Sequence, residues 1–318
     1  MKAAVCTRYG SPEVIQVQEV AKPQPKDDQV LVKIKATTVS SGDARIRRAD
    51  PAIIRLIFGF RGPRKSVLGV VVAGEVESVG KKVTKFKAGD QVFGTTGMSF
   101  GAHAEYQCIA ENGTLALMPE NMSYQEAAAL PFGGTAAAHF LRKANIQKGQ
   151  HVLIYGASGA IGTIAIQLAK ELGAEVTGVC SGRNTKLAKS LGADHVIDYT
   201  QEDFSENGVQ YDVVLETVGK CTFSQVRKAC KKDGVILLAS AGLGMTLRGA
   251  FSAPLGGHKV ISGVIEETEK DMNWFKELFA AGRLKAVIDE VYSLEDIAQA
   301  HARVDSGRKV GNVVVGVG

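Results

Sequence analysis

The feature that most constrains the fold is a glycine-containing turn between an apolar strand and a helix at residues 151–173. This stretch, HVLIYGASGAIGTIAIQLAKELG, matches the dinucleotide-binding pattern G-x-G-x-x-G except that Ala157 replaces the first glycine. In that pattern the second glycine, here Gly159, lets a pyrophosphate approach the backbone, and the third, Gly162, lets the helix pack closely on the strand. The turn alone also fits a βα connection without a ligand, but the strand before it and the helix after it favour a nucleotide site.

The pattern of apolar runs divides the chain into two domains. From residue 151 onward, short apolar runs alternate with helical segments, which is typical of a parallel sheet with helices on both faces. The first third instead carries short strand-like runs separated by turns, which indicates a barrel or a sandwich. We therefore predict an α/β protein with a doubly wound parallel-sheet (Rossmann) domain at residues 123–265 and a β-rich domain formed by residues 1–122 and 266–318.

The end of the second parallel strand predicts which nucleotide binds. NAD-binding domains have an acidic residue there to hold the ribose hydroxyls, whereas residues 179–186 of this chain contain none. Ser181, Arg183 and Lys186 instead supply a hydroxyl and two cations, which suit a 2′-phosphate. The two cations could also be solvated surface charges, but we favour the phosphate interpretation and predict NADPH.

Composition excludes several other classes of protein. The chain is 45% hydrophobic and 22% charged, as globular proteins are. Its net charge of +5 over 318 residues permits an anionic ligand without indicating nucleic acid. The five cysteines are scattered and form no Cys-x-x-Cys, which argues against a disulfide framework or a zinc knuckle. Because the sequence has neither a signal-peptide core nor an apolar stretch near ~18 residues, we expect a cytoplasmic protein.

Four stretches of the sequence resemble the medium-chain dehydrogenase/reductase superfamily, and most closely its zinc-independent quinone oxidoreductase branch. The resemblance covers essentially the whole chain, and the stretches that carry it follow the order of the superfamily: GVVVAGEVESVGKKVTKFKAGDQVFG at residues 69–94, AALPFGGTAAAHFL at 128–141, the turn at 157–162 and LGADHVIDY at 191–199. The resemblance implies that the β-rich domain is a GroES-like barrel. It also implies a homodimer or homotetramer, with residues 259–265 as the candidate edge strand for pairing.

The resemblance further implies a set of cofactor-binding residues. It assigns Ser158, Gly159, Ala160 and Ile161 to the pyrophosphate, Ser181, Arg183 and Lys186 to the adenosine phosphate, Tyr199 to the adenine or ribose, Thr135 to the vicinity of the nicotinamide, and Ala239, Ser240, Ala241 and Gly242 to the nicotinamide side.

The residues at the two zinc-ligand positions of the superfamily predict a site without metal. Zinc alcohol dehydrogenases of this superfamily place a cysteine soon after the early strand and a Gly-His-Glu further on. This chain has VSSGD at residues 39–43 and LGVV at 68–71, which supply neither a thiolate nor an imidazole. We expect the remaining His103, His139 and His151 to be surface or structural histidines.

The expected reaction follows from the missing zinc ligands. Without a Lewis acid nothing stabilises an alkoxide, whereas a quinone or an α,β-unsaturated carbonyl accepts hydride directly and its oxyanion needs only hydrogen-bond donors. We therefore predict an NADPH-dependent reductase of a quinone or enone. Two alternatives remain: a zinc-independent alcohol or aldehyde oxidoreductase, and a nucleotide-binding protein with weak or no catalysis that acts as a redox-sensing or membrane-associated partner.

The active-site stretch departs from the family pattern and keeps the last alternative open. Relatives often have Asn where this chain has Ser40, and some have Tyr where it has Arg45, while Asp43 and Arg47 match. Ser40 still carries a hydroxyl that can form hydrogen bonds. We name Ser40 and Arg45 as candidate substrate-pocket residues and assign no proton donor.

Residues 45–65 form a basic and apolar segment. The sequence RIRRADPAIIRLIFGFRGPRK has seven cations, the single acid Asp50, and interleaved Ile, Leu and Phe residues. One interpretation is a lid over a cleft, with packed apolar residues and solvated cations. The other is a patch that attracts anionic or amphiphilic substrates, or makes peripheral contact with an anionic membrane surface.

Overall fold

The computed structural model describes residues 1–240 and 257–318. The chain forms two compact units. The first unit consists of Met1–Phe132, Glu267–Gly282 and Ala286–Gly318, and the second unit consists of Gly133–Glu266 and Arg283–Lys285. Of the helices within the described ranges, none is both long and apolar enough to cross a membrane.

In chain order, the strands of the described residues are β1 (Lys2–Cys6), β2 (Ile15–Glu19), β3 (Gln29–Val39), β4 (Val71–Val79), β5 (Gln91–Thr95), β6 (Tyr106–Ala110), β7 (Thr114–Leu117), β8 (His151–Tyr155), β9 (Glu175–Cys180), β10 (His195–Asp198), β11 (Tyr211–Glu216), β12 (Cys230–Leu238), β13 (Lys259–Ser262), β14 (Ile288–Ser293) and β15 (Asn312–Gly316). The helices are α1 (Ser41–Arg48), α2 (Ile54–Phe58), α3 (Tyr124–Ala129), α4 (Pro131–Ala144), α5 (Ala160–Glu171), α6 (Thr185–Ser190), α7 (Phe223–Ala229), α8 (Glu269–Ala280) and α9 (Ile297–Asp305).

A seven-stranded sheet forms the body of the first unit. Its strands follow the order β14-β15-β3-β4-β5-β7, and β6 also pairs with β3. All neighbours are antiparallel except β14 and β15. In the pairing of β15 with β3, Val313 lies opposite Val39, and Val313 and Val315 enter the same apolar core as Val30 and Val32. The tail of the chain therefore completes the first unit.

The second unit contains a six-stranded parallel sheet in the order β10-β9-β8-β11-β12-β13. This is the doubly wound arrangement predicted from the alternating apolar runs, and the strand order reverses between β8 and β11. The candidate edge strand at residues 259–265 is observed as β13, which spans Lys259–Ser262 and lies at one edge of the sheet among the strands described.

The boundaries of the two units differ from the predicted domain limits of 122/123 and 265/266. The first unit extends to Phe132 because α3 packs against β3 and β4. Helix α3 begins at a capping box in the sequence SYQE, in which the Ser123 hydroxyl accepts from the Glu126 backbone N–H. Residues 283–285 join the second unit, where the Lys285 backbone N–H donates to Gln167 Oε1 at 2.7 Å.

Candidate functional site

The glycine turn of the second unit lies between β8 and α5, where it was predicted. Gly156 has φ +90°, and a Cβ at Gly162 would lie 2.2 Å from the Gly156 carbonyl oxygen. Gly162 therefore brings α5 against the turn, as the pattern requires. A Cβ at Gly159 would meet only that same oxygen, at 3.4 Å, so the backbone there is open to an approaching group.

The start of α5 has free hydrogen-bonding capacity. Gly159 is the N-cap residue and has no side chain, so no side-chain cap occupies the first N–H groups of the helix. These N–H groups, together with the positive end of the helix dipole, form a site for phosphate oxygens. The structure thus brings Ser158, Gly159, Ala160 and Ile161 together at a helix start that fits the pyrophosphate of a dinucleotide.

Asn184 joins the two parts of the predicted nucleotide site. Its side-chain amide donates to the Ser158 hydroxyl at 3.0 Å and to the Ser181 hydroxyl at 3.3 Å. The turn after β8 and the end of β9 are therefore held together by one side chain. Sequence reasoning missed Asn184, although it lies between Ser181 and Lys186, the residues predicted to bind the phosphate.

Two exposed cations and one carboxylate lie near the end of β9. Arg183 lies in a short 3-10 turn and Lys186 in the first turn of α6, and both are exposed. The acid is Asp198, at the end of β10, whose Oδ2 would lie 2.4 Å from a Cβ at Gly182. Hydrogen bonds from the backbone N–H and hydroxyl of Thr200 lower the pKa of Asp198, which is therefore ionised at neutral pH. This negative charge, which sequence reasoning missed, opposes part of the field of the two cations.

The remaining predicted cofactor residues occupy different environments. Tyr199 follows β10 and is 54% exposed, whereas Thr135 lies buried in α4. Ala239 follows β12, and its backbone N–H donates to the Glu216 carbonyl at 2.9 Å; Ser240 comes next. Ala241 and Gly242 lie outside the described residues.

The buried carboxylate of Glu216 shapes the loop after β11. It accepts the Val218 backbone N–H at 2.8 Å and also the Gly219 N–H. The neighbouring Thr217 hydroxyl donates to the Tyr155 carbonyl at 2.7 Å, which joins the carboxyl ends of β8 and β11. In doubly wound sheets ligands bind at these carboxyl ends, beside the point where the strand order reverses. Glu216 is the third residue near the candidate site that sequence reasoning missed, after Asn184 and Asp198.

In the first unit, the candidate pocket residue Ser40 is buried at the start of α1. Its hydroxyl donates to Asp43 Oδ2 at 2.6 Å and accepts the Asp43 backbone N–H at 3.1 Å. The Ser40 backbone N–H also donates to Asp43 Oδ2 at 2.8 Å, which completes a capping box. Asp43 Oδ1 also accepts the Gly69 backbone N–H at 3.1 Å, so one carboxylate fixes both segments that were compared with the zinc-ligand positions. Arg45 lies one turn further along α1 and is exposed.

The basic segment at residues 45–65 does not behave as one patch. Arg47 is completely buried, pairs with Asp305 and donates to the Gly10 carbonyl, and Arg48 also pairs with Asp305. Arg55 lies over the ring of Tyr9 at 4.8 Å. Arg47 is therefore part of the fold, and the interpretation of all seven cations as surface charges is wrong for this residue.

The three histidines considered as metal ligands all have hydrogen-bond partners. His103 Nε2 lies 3.0 Å from the Thr38 carbonyl, His139 Nδ1 accepts the Glu266 backbone N–H at 3.1 Å, and His151 pairs with Glu175. Across residues 1–240 and 257–318, no three His, Cys, Asp or Glu side chains are arranged to hold a metal ion.

Comparison with known proteins identifies the family. The model of the alcohol dehydrogenase GroES-like domain matches residues 26–131, and a model described as zinc-binding dehydrogenase matches residues 191–315. The 2-methylene-furan-3-one reductase of Solanum lycopersicum is 35% identical over 327 residues, which cover 99% of this chain and 79% of that protein. The chain belongs to the medium-chain dehydrogenase/reductase superfamily. It lies in the quinone oxidoreductase branch, as the four sequence stretches predicted.

Two further relatives of this medium-chain dehydrogenase/reductase have names that mention the nucleotide. The chloroplastic NADPH-dependent alkenal/one oxidoreductase of Arabidopsis thaliana is 30% identical over 327 residues, covering 99% of this chain and 79% of that protein. The quinone oxidoreductase of Escherichia coli, solved in complex with NADPH, has a TM-score of 0.86 at 26% identity and covers 99% of this chain and 100% of its own. The predicted α/β fold with a GroES-like domain and the predicted oxidoreductase class are confirmed.

Proposed function

We propose that the chain is an NADPH-dependent reductase of quinones or α,β-unsaturated carbonyl compounds. The observation that carries this proposal is the uncapped helix start at Gly159, joined by Asn184 to a strand end that bears Arg183 and Lys186. This arrangement occurs in a member of the quinone oxidoreductase branch. The Escherichia coli relative was solved with NADPH, and the Arabidopsis relative is named for NADPH and for alkenals and alkenones.

The second unit would hold NADPH through groups on several elements. We propose that Ser158 and the backbone of residues 159–161 bind the pyrophosphate, and that Ser181, Arg183 and Lys186 bind the 2′-phosphate. Tyr199 would lie beside the adenine or ribose, and the nicotinamide side would be lined by Thr135, Ala239, Ser240, Ala241 and Gly242. When bound, NADPH supplies the hydride for the reduction.

The candidate substrate-pocket residues belong to the first unit. We propose Ser40 and Arg45 as substrate-pocket residues. The Ser40 proton is directed to Asp43, so Ser40 would act by fixing the start of α1, while the exposed Arg45 guanidinium would attract an electron-rich acceptor oxygen. We also propose that the reaction is zinc-independent, because the stretches at the two family ligand positions, residues 39–43 and 68–71, supply neither a thiolate nor an imidazole.

Finer properties of the protein are also proposals. We propose a cytoplasmic protein and a homodimer or homotetramer that pairs through β13, an edge strand of the described sheet. We propose peripheral contact of residues 45–65 with anionic membranes, because Ile53, Leu56 and Phe60 are 50%, 69% and 75% exposed in a segment rich in cations. Co-sedimentation with vesicles that contain anionic lipid, at low salt, tests this contact.

Turnover of a panel of acceptors tests the proposed reaction. NADPH oxidation is followed by absorbance with quinones, enones and aldehydes, and NADP⁺ reduction is followed with alcohols; we expect turnover only with quinones and enones. Oxidation of alcohols would favour the alcohol oxidoreductase alternative. Tight NADPH binding without turnover of any acceptor would favour the nucleotide-binding alternative.

A double substitution tests the nucleotide preference. We expect Arg183→Gln with Lys186→Gln to weaken NADPH binding by about tenfold and to leave NADH binding unchanged, since only NADPH carries the 2′-phosphate. Lys189→Gln, on the same helix and also exposed, is the matched control. Equal losses for both nucleotides in the double variant would contradict the proposed phosphate site.

A further inference from the structure

A small apolar cavity that is open to solvent on one side lies in the first unit, beneath the segment at residues 54–65. Its volume is about 200 Å³. Its floor is formed by the buried side chains of Ile46, Leu68 and Phe100, and Ile57 and Phe58 form a wall on the α2 side. Nothing in the proposed nucleotide site or in the capping box of α1 uses this cavity.

The cavity is preformed by contacts that anchor the overlying segment. The Tyr9 hydroxyl donates to the Gly59 carbonyl at 2.5 Å, and a Cβ at Gly62 would lie 2.2 Å from the Thr7 carbonyl oxygen, so this backbone is held tightly against the N-terminal strand region. The rings of Phe58 and Phe100 pack edge to face at 5.8 Å. A ligand that entered would therefore not have to order the wall, which lowers the entropic cost of binding.

Positive charge lines one side of the opening. The exposed Arg64 and Lys65 line the cavity, and neither forms an ion pair within residues 1–240 and 257–318. Asp50 is the only acid among residues 45–65, and its Oδ2 lies 3.8 Å from Nη2 of Arg48, not beside Arg64 or Lys65. The site therefore combines an apolar interior with an unneutralised cationic rim, which is the complement of an amphiphile with an anionic head.

The size of the cavity limits the kind of chain that fits. Ligand pockets for drug-sized molecules are about 300–1,000 Å³, so this cavity is too small for a fused-ring quinone. A methylene group occupies about 30 Å³, roughly the same volume as a water molecule in the liquid. The cavity therefore has room for about six or seven methylene groups. We propose that it binds the hydrocarbon chain of a medium-chain aliphatic carboxylate, with the carboxylate held by Arg64 and Lys65.

Calorimetric titration with straight-chain carboxylates tests the proposal on the protein without nucleotide. We expect affinity to rise about fourfold per methylene from butanoate to octanoate, because each buried methylene contributes about 0.8 kcal/mol, and to level off at decanoate. Octanol should bind more weakly than octanoate, and the difference should shrink at high salt. Equal binding of butanoate and octanoate would overturn the proposal, because it would mean that only the anion is recognised.

Two pairs of variants locate the bound chain. Ile57→Asp places a carboxylate in the cavity wall and should weaken octanoate binding by about tenfold, whereas Leu56→Asp, next to it and 69% exposed but not part of the lining, should leave binding unchanged. Arg64→Gln with Lys65→Gln should weaken octanoate by about threefold to fivefold and leave octanol unchanged. Arg61→Gln, exposed on the same segment but outside the lining, is the control.

The outcomes separate this inference from the others. Equal losses in Ile57→Asp and Leu56→Asp would mean that the exposed surface binds the ligand, as in membrane contact, and would overturn the cavity assignment. Octanoate binding in a protein that turns over no quinone or enone would leave this inference standing and contradict the proposed reaction. Thermal denaturation of each variant checks that it is folded.

Discussion

The glycine turn at residues 156–162 and the segment at residues 40–65 both carry candidate site residues, but different forces hold them in place. In the turn, backbone atoms approach so closely that a Cβ at Gly162 would lie 2.2 Å from a carbonyl oxygen. In the segment, charged side chains fix the backbone: Asp43 joins the start of α1 to Gly69, and Arg47 joins its end to Asp305. The conformation of the turn depends on the absence of a side chain at a close backbone contact, whereas that of the segment depends on hydrogen bonds and ion pairs made by charged side chains.

This difference determines what a sequence can reveal about each region. A position that excludes a side chain must be glycine, so the turn leaves a local pattern that can be read directly. The partner of Arg47 lies 258 residues away, and no local spacing marks it. An arginine that is buried and paired therefore looks, in the sequence, like any other cation of a basic segment.

The largest effect is expected from adding a side chain to the turn. Gly162→Val would place methyl groups against the backbone of Gly156 and Ala157, which cannot move aside, so we expect a loss of about 3 kcal/mol or more in the free energy of unfolding. Gly159→Ala is the matched control, because its Cβ would have space and its φ is −83°. It should unfold like the parent but bind NADPH more weakly. A Gly162→Val protein with unchanged denaturant stability would contradict this account of the turn.

The next largest effect is expected from breaking the buried pair of the other region. Arg47→Leu removes a fully buried guanidinium and leaves Asp305 with only Arg48, and breaking such pairs costs about 3 kcal/mol. Arg48→Leu removes the more exposed partner of the same carboxylate, and we expect less than about 1 kcal/mol. Urea denaturation of both variants measures the difference. Equal losses would mean that burial of Arg47 does not matter to its contribution.

Much of the fold was predictable because it follows from local patterns. The alternation of apolar runs with helical segments predicted the parallel sheet, and the glycine spacing predicted the turn between β8 and α5. The extent of the first unit was not predictable, because it depends on which sheet α3 packs against. Sequence periodicity identifies the apolar face of a helix but does not say which partner covers it.

In the candidate site, too, only the features that follow from a local sequence pattern were predictable. The turn at Gly159 was found from glycine spacing. Asn184 was missed because it bonds to Ser158, 26 residues away in the sequence, and Glu216 was missed because it bonds to backbone N–H groups of a loop. Ser40 stays a candidate substrate-pocket residue, and its hydrogen-bond partner could not be predicted because it depends on whether α1 starts at that point. A polar residue before a helix can serve either as a cap or as a site residue, and only the helix boundary decides between them.

Acid pH should weaken the segment region through His301, on α9. Its ring is fully buried, packs edge to face against His103 and lies near the charge of Arg47; burial, more than these neighbours, lowers the pKa of His301 well below its usual value of 6.5. The unfolded chain therefore binds a proton below pH 6.5 that the folded chain does not, so stability falls as pH falls. We expect a loss of about 1.4 kcal/mol between pH 7.5 and 5.5 from this residue alone.

Denaturant titrations at several pH values measure this dependence. His301→Asn should remove most of this loss of stability at acid pH. It also lowers stability at every pH, because the smaller side chain leaves a void where the buried ring was. His195→Asn, at a position in the second unit with a 64% exposed side chain, is the control and should keep the full dependence. The same pH dependence in the parent and in His301→Asn would contradict the assignment.

The smallest effect is expected at Ser40, a residue of the segment that could serve either as a helix cap or as a site residue. If Ser40 caps α1, Ser40→Ala should lower the free energy of unfolding by about 1 kcal/mol, the usual cost of losing a helix N-cap, while Ser40→Thr should restore most of it. Because the hydroxyl proton is already donated to Asp43 at 2.6 Å, kcat/KM of the folded alanine variant should change less than about threefold. A loss of about a hundredfold in kcat/KM at unchanged stability would show instead that the hydroxyl turns from Asp43 to the acceptor, and Ser40 would then be a catalytic residue.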